Sequence, residues 1–285
     1  MSKHSGKFIR VTHVQDCPGV IIVEFARPPV NAFCEAMWLE LRTTFDSISR
    51  DGDIRAVVLG SNLPKVWTAG LDLIEAAGPD SSITAPKGDD PSRRAVGLAA
   101  HILDFQDAIT AVERCRQPVV AAMHGLALGL AVDILCACDI RYAAENSNIS
   151  IKEVDIGMAA DIGTLARISK IVGNESAVRE LALTARSFSA AEAQNIGFVS
   201  KVVKGGRDEV LAAAIGTAKL IASKSPIATL GTKHLLLHAR DHTVRDNLEY
   251  TATWNSLMLQ SDDAKDAFAA FTTKRPAVFK PMPKL

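Results

Sequence analysis

Residues 118–143, PVVAAMHGLALGLAVDILCACDIRYA, contain the pattern from which the fold can be predicted. Residues 118–123 form a short apolar run typical of a buried strand, and residues 128–137 have the length and composition of a buried helix. Gly125 and Gly129 lie between the two, and residues 140–143 return to a strand-like pattern. This order predicts a strand, a turn, a helix and a second strand of an α/β core.

The same stretch also has the length of a membrane span, because residues 119–138 are almost entirely apolar. However, it contains Asp133, and a carboxylate near the middle of a bilayer is costly. The Gly125-xxx-Gly129 spacing is found in membrane helix dimers, but it also allows close backbone packing in a soluble core. We therefore predict a buried core segment and no membrane span.

Outward from this segment, strand and helix patterns alternate along the chain. Further strands are predicted at residues 8–14, 20–25, 54–59 and 199–202, and further helices at 33–50, from Asp72, and at 93–116. A turn at 16–19, a loop at 61–70 and a Gly/Pro/Ser-rich insertion at 78–92, a candidate lid, connect them. The remainder is helical to about residue 272. We predict an α/β core over 1–204, a helical subdomain over 205–272 and a basic tail over 273–285.

Composition narrows the possible functions. The chain has 285 residues with 32 basic and 32 acidic side chains, so its formal net charge is zero. Nucleic-acid binding needs a surplus of Lys and Arg, and stacking on bases needs aromatic side chains, which make up only 5% here. The five cysteines are scattered without metal-binding spacing, which indicates reduced thiols in an intracellular protein and no metal site. We expect no nucleic-acid partner.

Acidic residues inside apolar sequence are the candidate chemical groups. Asp133, Glu153 and Asp161 all have apolar or small neighbours, and burial would raise a carboxyl pKa toward neutrality. Two such groups on either side of a substrate could move a proton from one carbon to another. Ordinary alternatives remain open: Asp161 could cap a helix, Glu153 could be a solvated charge at a strand end, and Asp133 could be a hydrogen-bonded core carboxylate.

Two strand–turn–helix junctions could hold a carbonyl oxygen. Residues 57–73 run from a strand through Gly70 to a helix start, and residues 118–130 do the same through Gly125 and Gly129. Backbone N–H groups at such junctions have no partner within the helix, and the helix dipole favours negative charge there. Two junctions aimed at one point would form an oxyanion hole.

The chain resembles the enoyl-CoA hydratase/isomerase (crotonase) superfamily from about residue 8 to about residue 270, and within it the dienoyl-CoA isomerase branch. The segments that carry this likeness are AGLDL at 69–73, ACDIRYAAENSNISIKEVDIGMAADIGTLARISKIVGN at 137–174, ELALTAR at 180–186, SKSP at 223–226 and RDHTV at 240–244. The resemblance implies a crotonase-like spiral of repeated ββα units with a C-terminal helical subdomain.

The resemblance also implies the site residues. Glu153 matches the acid/base next to substrate C2, Asp161 the second acid/base toward C6, and Asp133 a third pocket carboxylate. The oxyanion donors would be the N–H groups of Leu71 and Leu130. The substrate-binding loop would consist of Ala69, Gly70, Leu71, Asp72 and Leu73, together with Leu130. The implied activity is isomerisation of 3,5-dienoyl-CoA to 2,4-dienoyl-CoA in β-oxidation of unsaturated fatty acids.

Two other functions remain open. Hydratases of the superfamily resemble this chain in fold, but they have Glu at the Asp133 position and typically lack an acid at the Asp161 position. A 2-enoyl-CoA hydratase is therefore the first alternative. The second is a noncatalytic acyl-CoA-binding protein, because Leu130 stands where the family usually has glycine.

The resemblance further implies partners and a compartment. It implies a fatty acyl-CoA substrate, no metal or redox cofactor, and a homotrimer or hexamer. The final residues Pro283, Lys284 and Leu285 are close to a peroxisomal address read by an import receptor. We therefore expect a peroxisomal protein, with the mitochondrion as the alternative.

Overall fold

The computed structural model describes residues 2–79, 81, 83 and 87–285, and these residues form two β-sheets and a set of helices. The predicted insertion at 78–92 lies partly outside the described residues. The strands are β1 (Ile9–Val14), β2 (Cys17–Phe25), β3 (Ala56–Ser61), β4 (Val66–Thr68), β5 (Val119–Met123), β6 (Leu126–Leu128), β7 (Ile140–Ala144), β8 (Asn148–Ser150), β9 (Phe188–Ser189) and β10 (Lys201–Val203).

The helices follow the strands and dominate the C-terminal third. They are α1 (Glu35–Arg50), α2 (Leu73–Ala76), α3 (Pro91–Arg114), α4 (Leu130–Ala137), α5 (Thr164–Ile171), α6 (Glu175–Thr184), α7 (Ala190–Asn195), α8 (Arg207–Ala222), α9 (Pro226–Ala239), α10 (Val244–Met258) and α11 (Asp262–Thr273). A 3₁₀ turn spans Glu153–Ile156.

From β3 to β8, consecutive strands alternate between the two sheets. The larger sheet has the order β1-β2-β3-β5-β7-β10 and the smaller sheet β4-β6-β8-β9. The pairs β3/β4, β5/β6 and β7/β8 therefore each add one strand to each sheet before the chain continues into helices. Neighbours in the larger sheet are parallel except for β1 and β2. This arrangement confirms the predicted α/β spiral of repeated ββα units followed by helices.

The larger sheet is buried on both faces, which explains its continuous apolar strands. Along β3, Val57 and Leu59 face the main core with α1, α3 and α4, whereas Val58 faces a second core formed with α8. Helix α8, the first of the predicted helical subdomain, thus covers the second face of the sheet through Val210 and Ala214. The predicted boundaries at 204 and 272 stay predictions.

Two local predictions are wrong. The turn between the first strands lies at residues 15–16 rather than 16–19, because β2 already begins at Cys17. Pro18 is tolerated in this strand because β2 pairs with β3 only from Val20 onward. The predicted loop at 61–70 contains β4, which is only three residues long and shows no sequence period of its own.

Two segments of the described residues have the length and composition of membrane spans. They are α3 alone, and the bent pair α8 and α9 if the pair is counted as one span. Core helices of water-soluble proteins have the same properties. In α3 the side chains of Phe105, Ile109 and Val112 are buried in the main core.

Candidate active site

A cavity of about 480 Å³ brings together segments that are far apart in the sequence. Asp133, Glu153 and Asp161 all line it. Two backbone segments, residues 69–71 and 128–130, form one wall, and apolar side chains of α3 form another. The predicted carboxylates therefore share one largely apolar cavity, which is the usual composition of a small-molecule site.

The two backbone segments are in close contact because both contain glycine. Gly70 has φ of +89°, and a Cβ atom there would lie 2.8 Å from the carbonyl oxygen of Leu128. Any side chain at this position would force the loops apart. Sequence reasoning identified both glycine-containing junctions, and the structure brings them side by side.

The predicted oxyanion donors lie on this wall. Phe33 forms a parallel bridge with the first loop through the carbonyl of Gly70 and the N–H of Asp72, so the intervening Leu71 N–H points the other way. Leu130 is the first residue of α4, where a backbone N–H has no acceptor within the helix. Among the described residues neither N–H has a hydrogen-bond partner. Both are available to a ligand in the cavity.

The remaining loop residues divide between the cavity and the scaffold. Ala69 and Leu73 line the cavity. The Asp72 side chain does not, because it caps α2 by accepting from the N–H groups of Ile74 and Glu75 and forms an ion pair with Arg27 at 2.7 Å. These contacts make Asp72 a support of the loop.

Glu153 lines the cavity next to Gly129, where a side chain would crowd its carboxylate. It begins the 3₁₀ turn, and its Oε1 lies 3.1 Å from the point where a Cβ of Gly129 would be. Its Oε2 is buried without a hydrogen-bond partner among the described residues. Burial, and secondarily the charge of Asp161, raises the pKa of Glu153. The alternative of a solvated charge at a strand end is therefore wrong.

Asp133 is the most deeply buried of the three acids, with 2% of its surface exposed. Its Oδ1 accepts the Thr164 N–H at 2.6 Å. Burial first, and then the charge of Glu153, raises the pKa of Asp133 to about 7. The surroundings of Asp133 therefore favour the protonated form of this carboxyl group.

Asp161 is the most exposed of the three. It lies on the loop before α5, at the boundary between the main cavity and a second, more polar cavity of about 480 Å³. The alternative in which Asp161 caps a helix is wrong, because α5 begins at Thr164 with Gly163 as its N-cap. The N–H of Thr164 is instead bound by Asp133.

Sequence reasoning missed the contribution of α3. Leu98, His101, Ile102 and Phe105 line the cavity, and Gln106 Nε2 donates to the Asp161 carbonyl at 2.6 Å. The sequence pattern predicts a helix over 93–116, but it does not indicate that part of this helix lines a cavity.

The C-terminal residues contact the end of α1. Leu285 N donates to the Arg50 carbonyl at 3.0 Å and Lys284 pairs with Asp53 at 2.6 Å, so residues 284–285 lie against the turn after α1.

In the part of the chain that the structure describes, no group of three or more His, Cys, Asp or Glu side chains could hold a metal ion.

Comparisons with known proteins place the chain in one family. The model of the enoyl-CoA hydratase/isomerase family matches residues 16–282. The mitochondrial Delta(3,5)-Delta(2,4)-dienoyl-CoA isomerase of Homo sapiens is 44% identical over 273 residues, covering 95% of this chain and 81% of the relative. The peroxisomal isomerase of Arabidopsis thaliana is 40% identical over 276 residues, covering 96% and 98%.

A solved structure extends the likeness to the fold. Enoyl-CoA hydratase from Bacillus anthracis superimposes with a TM-score of 0.82 at 27% identity, covering 98% of this chain and 99% of that one.

Proposed function

The chain belongs to the enoyl-CoA hydratase/isomerase family, and from that membership we propose that it is a dienoyl-CoA isomerase that converts 3,5-dienoyl-CoA to 2,4-dienoyl-CoA. The observation that carries the proposal is the grouping of three carboxylates around one largely apolar cavity, beside two backbone N–H groups that have no hydrogen-bond partner among the described residues. A hydratase needs to activate water, whereas this isomerisation only moves a proton along a conjugated chain.

In the proposed reaction, the thioester oxygen accepts hydrogen bonds from the N–H groups of Leu71 and Leu130. This makes the C2–H bond acidic and stabilises the dienolate that forms when the proton leaves. Loss of one such donor typically lowers the rate by a factor on the order of 10²–10³. Because both donors are backbone groups, the leucine side chain at position 130 does not remove its donor.

Glu153 starts as the carboxylate and takes the C2 proton, and Asp161 starts as the acid and delivers a proton at C6. Proton exchange with solvent then returns Glu153 to the carboxylate and Asp161 to the acid before the next turnover. The double bonds move from positions 3 and 5 to positions 2 and 4, and the net change in the substrate is one proton relocated. The raised pKa of Glu153 supports a role as base, since a carboxylate with a raised pKa is a stronger proton acceptor. Asp133 modifies the electrostatics of the other two acids through its own charge. Since only a proton moves, we propose that no metal or redox cofactor takes part.

The test is a side-by-side assay of a 3,5-dienoyl-CoA and a 2-enoyl-CoA with wild type, Glu153→Gln and Asp161→Asn. Each substitution should lower dienoyl-CoA turnover by about 10²- to 10⁴-fold, the usual contribution of a general acid or base. Two exposed acids serve as matched controls, and Glu145→Gln and Asp266→Asn should retain full activity.

The alternatives predict different results. Hydration of the 2-enoyl-CoA without conversion of the dienoyl-CoA would identify a hydratase. Tight binding of both esters, with turnover of neither, would identify a noncatalytic acyl-CoA-binding protein.

We also propose a homotrimer or hexamer. Large apolar side chains stand exposed on the C-terminal helices of the single chain, among them Leu236, Leu248, Leu257, Phe268 and Phe271. Exposed apolar groups on this scale are typical of an interaction surface. Light scattering of the purified protein would measure the assembly; a monomeric mass would contradict the proposal.

For the compartment, we propose the peroxisome. The Arabidopsis relative is described as peroxisomal and the human relative as mitochondrial, so relatives occur in both organelles. Microscopy of the full chain tagged at its amino terminus would distinguish the two.

A further inference from the structure

We propose that Gln106 on α3 is a positioning residue that sets the location of Asp161, with the Arg167–Glu113 ion pair supporting the same loop from behind. This inference rests on the proposed function, in which Asp161 delivers a proton. It adds residues that do not touch the substrate but determine where the proton donor stands.

The Asp161 side chain has no anchor of its own among the described residues. Among the described residues no hydrogen bond or ion pair involves its carboxylate, and the residue is exposed. Its position therefore depends on how its backbone is held. A proton donor displaced by about 1 Å can lose about 10²-fold in rate, so that backbone position is important for catalysis.

Gln106 contacts the Asp161 backbone directly. Gln106 Nε2 donates to the Asp161 carbonyl at 2.6 Å. Gln106 lines the second cavity and does not line the main cavity, so its side chain reaches Asp161 from the side of the second cavity. The contact joins α3 to the loop that runs from the 3₁₀ turn to α5.

Other residues of α3 support the loop next to Asp161. Thr110 and Glu113 follow Gln106 at spacings of four and seven residues, which places all three on one face of α3. Arg167 donates to both Glu113 carboxylate oxygens and to Thr110 Oγ1 at 2.9 Å. This face therefore contacts the segment from Asp161 to Arg167 at several points.

Arg167 in turn contacts the loop itself. A Cβ atom at Gly163 would lie 2.3 Å from Arg167 Nη1, so the guanidinium packs directly against the Gly163 backbone. Arg240 also contacts Glu113, which holds the acceptor in place from the C-terminal end of α9. The loop is thus fixed on one side by Gln106 and on the other by Arg167.

The test is a double-mutant cycle in the 3,5-dienoyl-CoA assay. Gln106→Met keeps the length of the side chain and removes the donor, and we expect kcat to fall by about 10- to 100-fold with KM within about twofold. In the Asp161→Asn background the same change should lower the residual rate by less than about twofold, because two residues acting through one group are not additive. Arg167→Lys should show the same pattern with a smaller loss. Gln194→Met, an exposed glutamine on α7, is the matched control.

A second variant covers the case in which Gln106→Met does not fold. Gln106→Glu can donate to the Asp161 carbonyl only when its carboxyl group is protonated, so its activity relative to wild type should rise as pH falls. Equal losses in both backgrounds, or a Gln106→Glu ratio independent of pH, would overturn the positioning role. If wild type fails to convert the dienoyl-CoA, the proposed function itself fails, which is a separate result.

Discussion

The strongest physical prediction concerns Asp133, whose burial should make the stability of the protein depend on pH. The side chain is 2% exposed, and its pKa in the folded state is raised from 3.8 to about 7, first by burial and then by the charge of Glu153. In the unfolded chain the group returns to its ordinary value. Asp133→Asn removes the titration but retains an oxygen that can accept the Thr164 N–H.

The sign and size follow from the linkage between proton binding and folding. Between about pH 4 and pH 7 the folded protein holds a proton on Asp133 that the unfolded chain has lost, so the unfolding free energy falls as pH rises. The slope is at most about 1.4 kcal/mol per pH unit, and over this range the loss totals at most about 4 kcal/mol. The contribution that protonation of Asp133 makes to the unfolding free energy is therefore fully present at acid pH and is lost as pH rises toward 7.

The assay is urea unfolding of wild type and Asp133→Asn at intervals from about pH 4 to pH 8, because denaturant midpoints give the free energy directly. Titrating groups that do not interact with Asp133 affect both proteins equally and cancel in the difference, whereas Glu153 and Asp161, whose charges act on Asp133, contribute to it. The variant should gain stability relative to wild type as pH rises, by several kcal/mol in total. Asp266→Asn, at an exposed site, should show no such trend. A difference between wild type and Asp133→Asn that stays constant over the whole range would refute the reasoning.

Two further predictions concern a glycine beside Glu153 and a buried lysine in an ion pair. Gly129→Ala should lower kcat at least tenfold in steady-state kinetics, because the added Cβ would lie 3.1 Å from Glu153 Oε1 and displace it. The same substitution should lower the free energy of unfolding by an amount on the order of 1–3 kcal/mol in urea unfolding, because alanine would have to adopt the φ of +53°. Lys233→Met should destabilise the protein by about 3 kcal/mol in urea unfolding, because it leaves Asp139, which pairs with Lys233 at 2.7 Å, without its buried partner.

Matched controls exist for both. Gly216→Ala, in α8, adds a Cβ with nothing within 4 Å and should retain activity and stability. Lys265→Met removes an exposed ion pair with Asp262 and should change stability by less than about 1 kcal/mol. Equal effects in a variant and its control would contradict the assigned contact.

The sequence allowed the order of elements to be predicted well because hydrophobic patterns repeat over several residues. The run from Val119 to Met123 and the helical span from Leu130 to Ala137 were both found close to their observed bounds. Strand β4 was missed because its short length leaves no period to detect. The first turn was misplaced because Pro18 suggested a turn, whereas the structure accommodates it before the parallel pairing begins.

The candidate site divides in the same way. Asp133, Glu153 and Asp161 could be selected because acids stand out in apolar sequence, and the glycine junctions because their turn chemistry is local. Gln106 could not be selected, since it lies 55 residues from Asp161 and resembles any polar residue on a helix.

The amino-acid sequence by itself determined the alternation of strands and helices, the family resemblance and the residue types available for proton transfer. Only the tertiary structure decided which of the carboxylates is buried and in which direction the backbone N–H groups of Leu71 and Leu130 point. The physical reason is that desolvation and hydrogen-bond geometry depend on groups from distant segments. Asp133 has its raised pKa because of surroundings that include Thr164 and Glu153, and no local pattern in the sequence specifies those surroundings.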